Sequence, residues 1–351
     1  MLVDPETWAL AQGIEKILAD VEEDGVGQVK PELMQSVLEI ATDVCDDLAE
    51  AADQLRQLRQ RVRGCAERNG MLVAAAGTHP SARWEDQLIV DRPRYRELAA
   101  ELGWIARQEL IFGTHVHVGV SGADKAIYIA DGVRRHIPLL LALSANSPLW
   151  RGENTGMMSS RTPIFRHFPR VGVPPHYGTW EIFSRRVGLM TKAGAIPDYT
   201  YLWWDVRPHP NLGTIEIRTF DQQTSLEDTV ALAALSVCLV HRYASNFDAE
   251  EALVEVPMEL IDDNKVRASL RGLEGMLVDL PRSRQAPASE LAREMIEELR
   301  SDASQLGVED GLDRLVELIE AGSGARRQLR ALEEEGGIDG LVRRLCAETV
   351  A

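Results

Sequence analysis

GTHVHVG (113–119) and GTIEIRTFD (213–221) are the two stretches on which the fold turns. Side chains alternate faces along a strand, so His115 and His117 point one way while Val116 and Val118 point the other. In the second stretch Glu216 and Arg218 share a face, and Ile215 and Ile217 share the opposite one. Each stretch therefore reads as a strand with one polar and one apolar face. Two imidazoles side by side, framed by glycines that let a ligand approach the backbone, suit contact with a metal or a phosphate. The neighbouring valines already supply the apolar face, which argues against a pair of core histidines. An HxH pair by itself names neither a metal nor a reaction. Glu216 beside Arg218 has two readings. One is a structural ion pair; the other is a carboxylate on a divalent cation next to a guanidinium that neutralises a transferring phosphoryl group.

Outward from these strands, residues 201–206 read as a strand that returns to 213–220 through an elaborated loop at 207–212, as an antiparallel hairpin. Helical periodicity covers 43–68, 94–111, 126–146 and 226–242, with Pro138 as a kink in the third. Residues 71–76 form a short apolar run of buried-strand type. Residues 147–200, rich in Pro, Gly, Ser, Arg and aromatics, read as functional loop or lid. Beyond residue 248 charged helices dominate, interrupted by the loop-like PRSRQAPAS (281–289). Strands and helices do not alternate as in a βαβ array, so the fold class expected is α+β. A catalytic domain at 1–247 and a helical C-terminal region at 248–351 packing on it follow from this division.

The formal net charge of −17 disfavours nucleic acid and anionic membrane surfaces as partners. An anionic substrate then needs local Arg, Lys or a divalent cation to reverse the field. The longest apolar run, 137–143, contains Pro138 and is far too short to span a bilayer. The first residues, MLVDPETWAL, show no secretory signal. Cys45, Cys65, Cys238 and Cys346 are too scattered for a metal knuckle or a disulfide framework, which suits a reducing cytoplasm.

Further candidates are less marked. Glu32 and Glu39 lie in KPELMQSVLEIAT (30–42), whose pattern reads as the start of the following helix with both carboxylates solvated. Arg161, Arg166, Arg170 and Arg207 sit in loop segments, where each is either surface charge or a grip for carboxylate or phosphate.

Taken together, ELMQSVLEIATDVC (32–45), AAAGTHPSARW (74–84), FGTHVHVGV (112–120), LALSANSPLWRGENTGMMSSRTPIF (141–165) and LWWDVRPHPNLGTIEIRTFD (202–221) resemble the bacterial carboxylate–amine ligase family known as glutamate–cysteine ligase type 2. The likeness runs over roughly residues 1–245 and is loose beyond. It implies a glutamine-synthetase-like fold, a curved antiparallel sheet whose concave face holds divalent cations and ATP, with helices on its outer face. It implies an ATP- and Mg2+-dependent ligase (Mn2+ in place of Mg2+ is also open), joining a glutamate-like carboxylate to cysteine or another amine through an acyl phosphate. Small molecules are the partners expected, and a homodimer is one assembly open to it. Under the resemblance Glu32, Glu39, His115 and Glu216 become metal ligands. His115 and Arg218 contact the nucleotide phosphates, Arg218 and His117 act in catalysis, and Arg161 and Arg207 grip substrate. The segment around Glu39 becomes a strand.

Family members also begin with a strand carrying Gly-x-Glu-x-Glu just before the stretch matched by LVDPET (2–7). This sequence starts at Met1, after that strand, so either its start is placed too far downstream or the metal site is incomplete, and the expectation for the sequence as given is little or no ligase turnover. Two rivals remain at this point. A metal-dependent hydrolase built on the HxH strand would want further ligands that His136, His167, His176, His209 and His241 are not spaced to supply. A degenerate paralogue would bind nucleotide without turnover.

Overall fold

The computed structural model describes residues 1–21 and 25–349. Near the N-terminus, β1 (Gln28–Pro31) and β2 (Leu38–Ala41) pair antiparallel, with Lys30 opposite Glu39. The periodicity reading of this stretch as a helix start is corrected here. Leu38 and Ile40 alternate with Glu39 and pack, with Val29, against Val62, Cys65 and Ala66 of the helix Leu48–Arg68. That helix begins at Leu48 rather than 43, because the Asp47 carboxylate accepts from Glu50 N at 2.8 Å and caps it.

The centre is a three-stranded antiparallel sheet. In chain order it uses β3 (Gly113–Gly119), β4 (Val206–His209) and β5 (Thr214–Asp221), arranged spatially as β4–β5–β3. Val206, Ile215 and Ile217 are buried on one face, with Val116 and Val118 partly so. They pack against α1 (Ala123–Val133), α2 (Ile137–Ser144) and α3 (Leu226–Asp248), through residues such as Ile129, Leu140 and Leu235. Each such aliphatic side chain taken fully from water contributes roughly 1.5–3 kcal/mol, so this face is fixed and the opposite, polar face is left open.

Three details depart from the sequence reading. The helix expected over 126–146 breaks at residues Arg134–His136, a single 3-10 turn, and restarts with Pro138 in the first turn of α2. A proline there forfeits no helical hydrogen bond. The strand expected at 201–206 lies instead at Val206–His209, while Tyr199–Tyr201 is a short 3-10 turn and Trp203–Trp204 pairs in parallel with Val171–Gly172. Pro208 is tolerated because β4 is an outer strand. Residues 147–200 contain the helices Arg161–Phe165 and Trp180–Lys192, so this stretch is more regular than expected.

The C-terminal part holds the helix Met258–Arg271, a hairpin of Met276–Asp279 with Arg284–Pro287, and helices from Ala288 to Thr349. PRSRQAPAS therefore spans the hairpin turn, its second strand and a helix start. Ile261, Leu277, Leu312 and Leu315 share one core cluster with Ile215 and Leu235. Among the described residues, α3 alone is long and apolar enough to cross a membrane, and half of that stretch is buried in this core.

Candidate functional site

The polar face of the sheet is laid out in rows by strand register. His209 of β4 stands opposite Thr214 of β5. Arg207, Glu216 and His117 form the next row, one from each strand. After Ile217, paired with Val116, the register of β5 shifts, and the following pair is Phe220 with Thr114. Arg218 and Thr219 thus stand together opposite His115 in a β-bulge. The bulge turns Phe220 into the apolar core, where it is fully buried, while Arg218 keeps to the polar face.

Glu216 is the hub. It is only 2% exposed. Its Oε2 accepts from Arg207 Nε at 2.7 Å and Nη2 at 2.6 Å, and its Oε1 accepts from Arg218 Nη1. His117 Nε2 and His115 Nδ1 lie 3.5 and 3.8 Å from Oε1. Burial alone would raise the Glu216 pKa. The His117 hydrogen bond and the Arg218 and Arg207 charges overcome it and hold the carboxyl far below the ordinary range. Of the two readings open in the sequence, the geometry is that of a carboxylate paired with two guanidiniums.

His115 and His117 share the polar face as alternation required, each about a third open at the side chain. Burial, then the Arg218 charge, hold His115 well below its usual pKa. Its Nδ1 lies 3.4 Å from Arg218 Nη1, which can only donate, so Nδ1 is on the accepting side of that contact. His117 Nδ1 lies 3.0 Å from Thr214 Oγ1. His209 stacks edge-on to His117 at 5.6 Å and meets Tyr199 Oη at 3.2 Å through Nδ1.

Beside this hub lies an acidic group. Burial, then the charges of Glu109 and Glu39, push Glu32 up to about 8, with a shared hydrogen bond to Glu39. Burial also pushes Glu109 up to about 7, opposed by Arg218 and Arg161. Glu109 thus links the carboxylates of the β1–β2 hairpin to the guanidinium of β5. Tyr95 donates to Pro31 O at 2.6 Å and feels the same charges. Among the described residues no three His, Cys, Asp or Glu side chains stand at metal-ligand spacing.

In this arrangement Arg207 is taken up by protein partners through Nε, Nη1 and Nη2, and Arg161 through Nη1 and Nη2, its buried Nε having no partner among the described residues. Arg207 also donates through Nη1 to Thr200 O at 2.7 Å and Leu202 O at 3.0 Å. Arg161 is buried against main-chain carbonyls of β5. Arg166 pairs with Asp262 on the surface, and Arg170 caps Tyr201 O over the Trp203 ring.

Sequence reasoning missed Glu109, at the end of a helical stretch, and His209. The RPH spacing at 207–209 carried a signal for the latter, since Arg207 and His209 alternate around Pro208.

A family model described as glutamate–cysteine ligase family 2 matches residues 1–348. The chain belongs to that family. Among its relatives is a protein provisionally named glutamate–cysteine ligase 2-1 of Rubrobacter xylanophilus, 46% identical over 335 residues, which are 95% of this chain and 89% of that protein. A Solibacter usitatus relative, provisionally named glutamate–cysteine ligase 2, is 37% identical over 351 residues, 99% of this chain and 90% of its own. The fold also matches a crystal structure of glutamate–cysteine ligase from Francisella tularensis in complex with AMP, with a TM-score of 0.74, 12% identity, and coverage of 100% of this chain and 87% of that one. The α+β, glutamine-synthetase-like architecture expected from the resemblance is therefore present, and glutamate–cysteine ligase family membership accounts for the motifs that carried it.

Proposed function

We propose that this protein is an ATP-dependent carboxylate–amine ligase that joins the side-chain carboxylate of glutamate to the amino group of cysteine. The observation that carries the reading is the polar sheet face itself. Arg218 bonds Glu216 through Nη1, and its side chain keeps 13% exposure on that face, so part of the guanidinium is open to an anionic oxygen. His115 stands on the same face, its Nδ1 turned to Arg218 Nη1.

The nucleotide of the Francisella structure and the family relationship support ATP as the phosphoryl donor. The substrate carboxylate attacks the γ-phosphorus, the bond to the β-phosphate oxygen breaks, and ADP leaves an acyl phosphate. Arg218 neutralises the equatorial oxygens during that step, and His115 donates to one of them. The amine nitrogen then attacks the acyl carbon and expels inorganic phosphate. His117, held by Thr214 and Glu216, stands on the same face to orient the reacting groups.

Glu32, Glu39 and Glu109 have the donor chemistry that would hold a divalent cation such as Mg2+, although as they stand they are not drawn together at metal-ligand spacing. All are oxygen donors; burial, then the charges of Glu109 and Glu39, raise Glu32, and burial raises Glu109 against the pull of Arg218 and Arg161. Such an ion supplies the positive charge that lets these carboxylates ionise together and screens the triphosphate. At Glu216 a cation competes with the Arg218 contact, so we assign its carboxylate first to the arginines. Four unpaired cysteines suit a reducing cytoplasm.

The test is ADP release by the purified chain with ATP, Mg2+, glutamate and a panel of amines. Release requiring both glutamate and cysteine supports the assignment. Release with glutamate and a different amine changes the acceptor. The absence of release with every amine overturns it.

A further inference from the structure

We infer that Arg161 is a positioning residue that fixes the β5 bulge and thereby aims Arg218. This role rests on the ligase reading for its kinetic consequence, though not for its structural one.

The argument starts from the ladder. A bulge leaves the carbonyls of its two residues out of register with the neighbouring strand. Arg218 N is accounted for, since it donates to Asp205 O at 2.8 Å, and Asp205 is anchored by Lys265 Nζ at 2.8 and 2.6 Å. The two carbonyls are met from the side by one guanidinium. Arg161 Nη2 donates to Arg218 O and Nη1 to Thr219 O, each at 3.3 Å. The planar fork matches two successive carbonyls, which a lysine ammonium cannot do with the same geometry.

The guanidinium is itself held. Arg161 is 6% exposed and its Nη1 lies 3.8 Å from Asp221 Oδ1. Asp221 is fully buried and accepts from Asn146 N at 2.9 Å, Ser147 Oγ at 2.7 Å and Ser159 Oγ at 2.9 Å. Space for the fork is supplied by Gly113, the partner of Asp221 on β3. A Cβ at Gly113 would stand 2.3 Å from Arg161 Nη2 and 2.8 Å from Cζ, closer than any tolerated contact. Gly113 therefore serves Arg161, and Arg161 serves the backbone from which Arg218 reaches Glu216.

Displacing a catalytic group by about 1 Å costs on the order of 100-fold in rate. Arg161→Met should therefore lower kcat by about that factor, with KM for glutamate and for the amine held within about threefold. Arg161→Lys should recover only part of the loss. Gly113→Ala, which keeps Arg161 but occupies its space, should reproduce the defect, and the double variant should be no worse than Arg161→Met alone.

A crystal structure of Arg161→Met gives a readout that does not depend on turnover. It should show the carbonyls of Arg218 and Thr219 reoriented and Arg218 withdrawn from Glu216. An unchanged bulge overturns the inference, as does a rise in KM for glutamate with kcat preserved, which would make Arg161 a direct grip on substrate. If Arg161→Met fails to fold, Gly113→Ala carries the same two measurements. A parent protein without ligase turnover would overturn the proposed function, while the two variant structures would still decide the role of Arg161.

Discussion

Replacing Glu216 with glutamine keeps the shape of the hub and removes its charge. The structure sets the consequence. Arg207 and Arg218 lie within hydrogen-bonding reach of that carboxylate, at 7% and 13% side-chain exposure, so both guanidiniums lose their counter-charge in a poorly solvated place. Removing one partner of a buried ion pair costs about 3–5 kcal/mol. With an unfolding entropy of about 2.1 cal/mol/K per residue over 351 residues, the expected fall in Tm is about 4–7 °C. The sign with pH follows from the depressed Glu216 pKa. A carboxyl whose folded value lies below its unfolded one adds stability that is fully present above about pH 4.5 and is lost as the solution is acidified through the folded value. The difference in Tm between parent and Glu216→Gln should therefore stay constant from pH 8 to pH 5 and narrow only below that. Differential scanning calorimetry across the range measures both quantities. A Tm within 1–2 °C of the parent at pH 7, on the same scale of about 1.4 °C per kcal/mol, would show that the carboxylate is not the counter-charge of the two arginines and would refute the reasoning.

The acidic group predicts the opposite pH sign. Glu32 and Glu109 are raised, so protons bound in the folded state must be released, and the metal-free protein should lose stability between about pH 5 and pH 8. Millimolar Mg2+ should restore Tm more at pH 8 than at pH 5.5; equal shifts at both would count against a cation among these carboxylates. Glu109→Gln relieves part of the repulsion, and should raise the metal-free Tm at pH 8 while weakening the Mg2+ response, as read in the same thermal scans. Lys265→Met leaves the buried Asp205 carboxylate unpaired and should cost about 3–5 kcal/mol in urea unfolding. A loss below 1 kcal/mol would show that Lys265 is not the counter-charge on which the buried Asp205 depends.

The site was legible where side-chain alternation is undisturbed. His115, His117 and Glu216 were placed on one face because β3 and the first half of β5 are regular strands. Alternation failed at Thr219, where the bulge inserts an extra residue. No local propensity announces it, since its cause is an arginine some sixty residues earlier in the chain, Arg161. The strand bearing Glu39 was misread from periodicity because four residues of β2 offer too short a pattern to tell period 2 from the start of a helix. The resemblance supplied what the pattern could not. Glu109 escaped notice because a carboxylate closing a helical stretch looks solvated until β1 and β2 are folded beside it. The C-terminal hairpin was hidden by Pro281 and Pro287, residues that argue for loops unless they sit at a turn or strand end, as these two do.

Pro208 has a further consequence for how these molecules meet one another in a crowded solution. β4 bounds the central sheet on one side, and a strand in that position normally offers a row of amide hydrogens to any extended chain that passes. At Pro208 there is no hydrogen to offer. The carbonyls of Thr200 and Leu202, which run alongside, are already engaged by Arg207. A foreign strand approaching this border finds an interrupted template, so the sheet is discouraged from growing into a neighbour. The proline that made β4 hard to read as a strand thus protects the boundary of the sheet it closes.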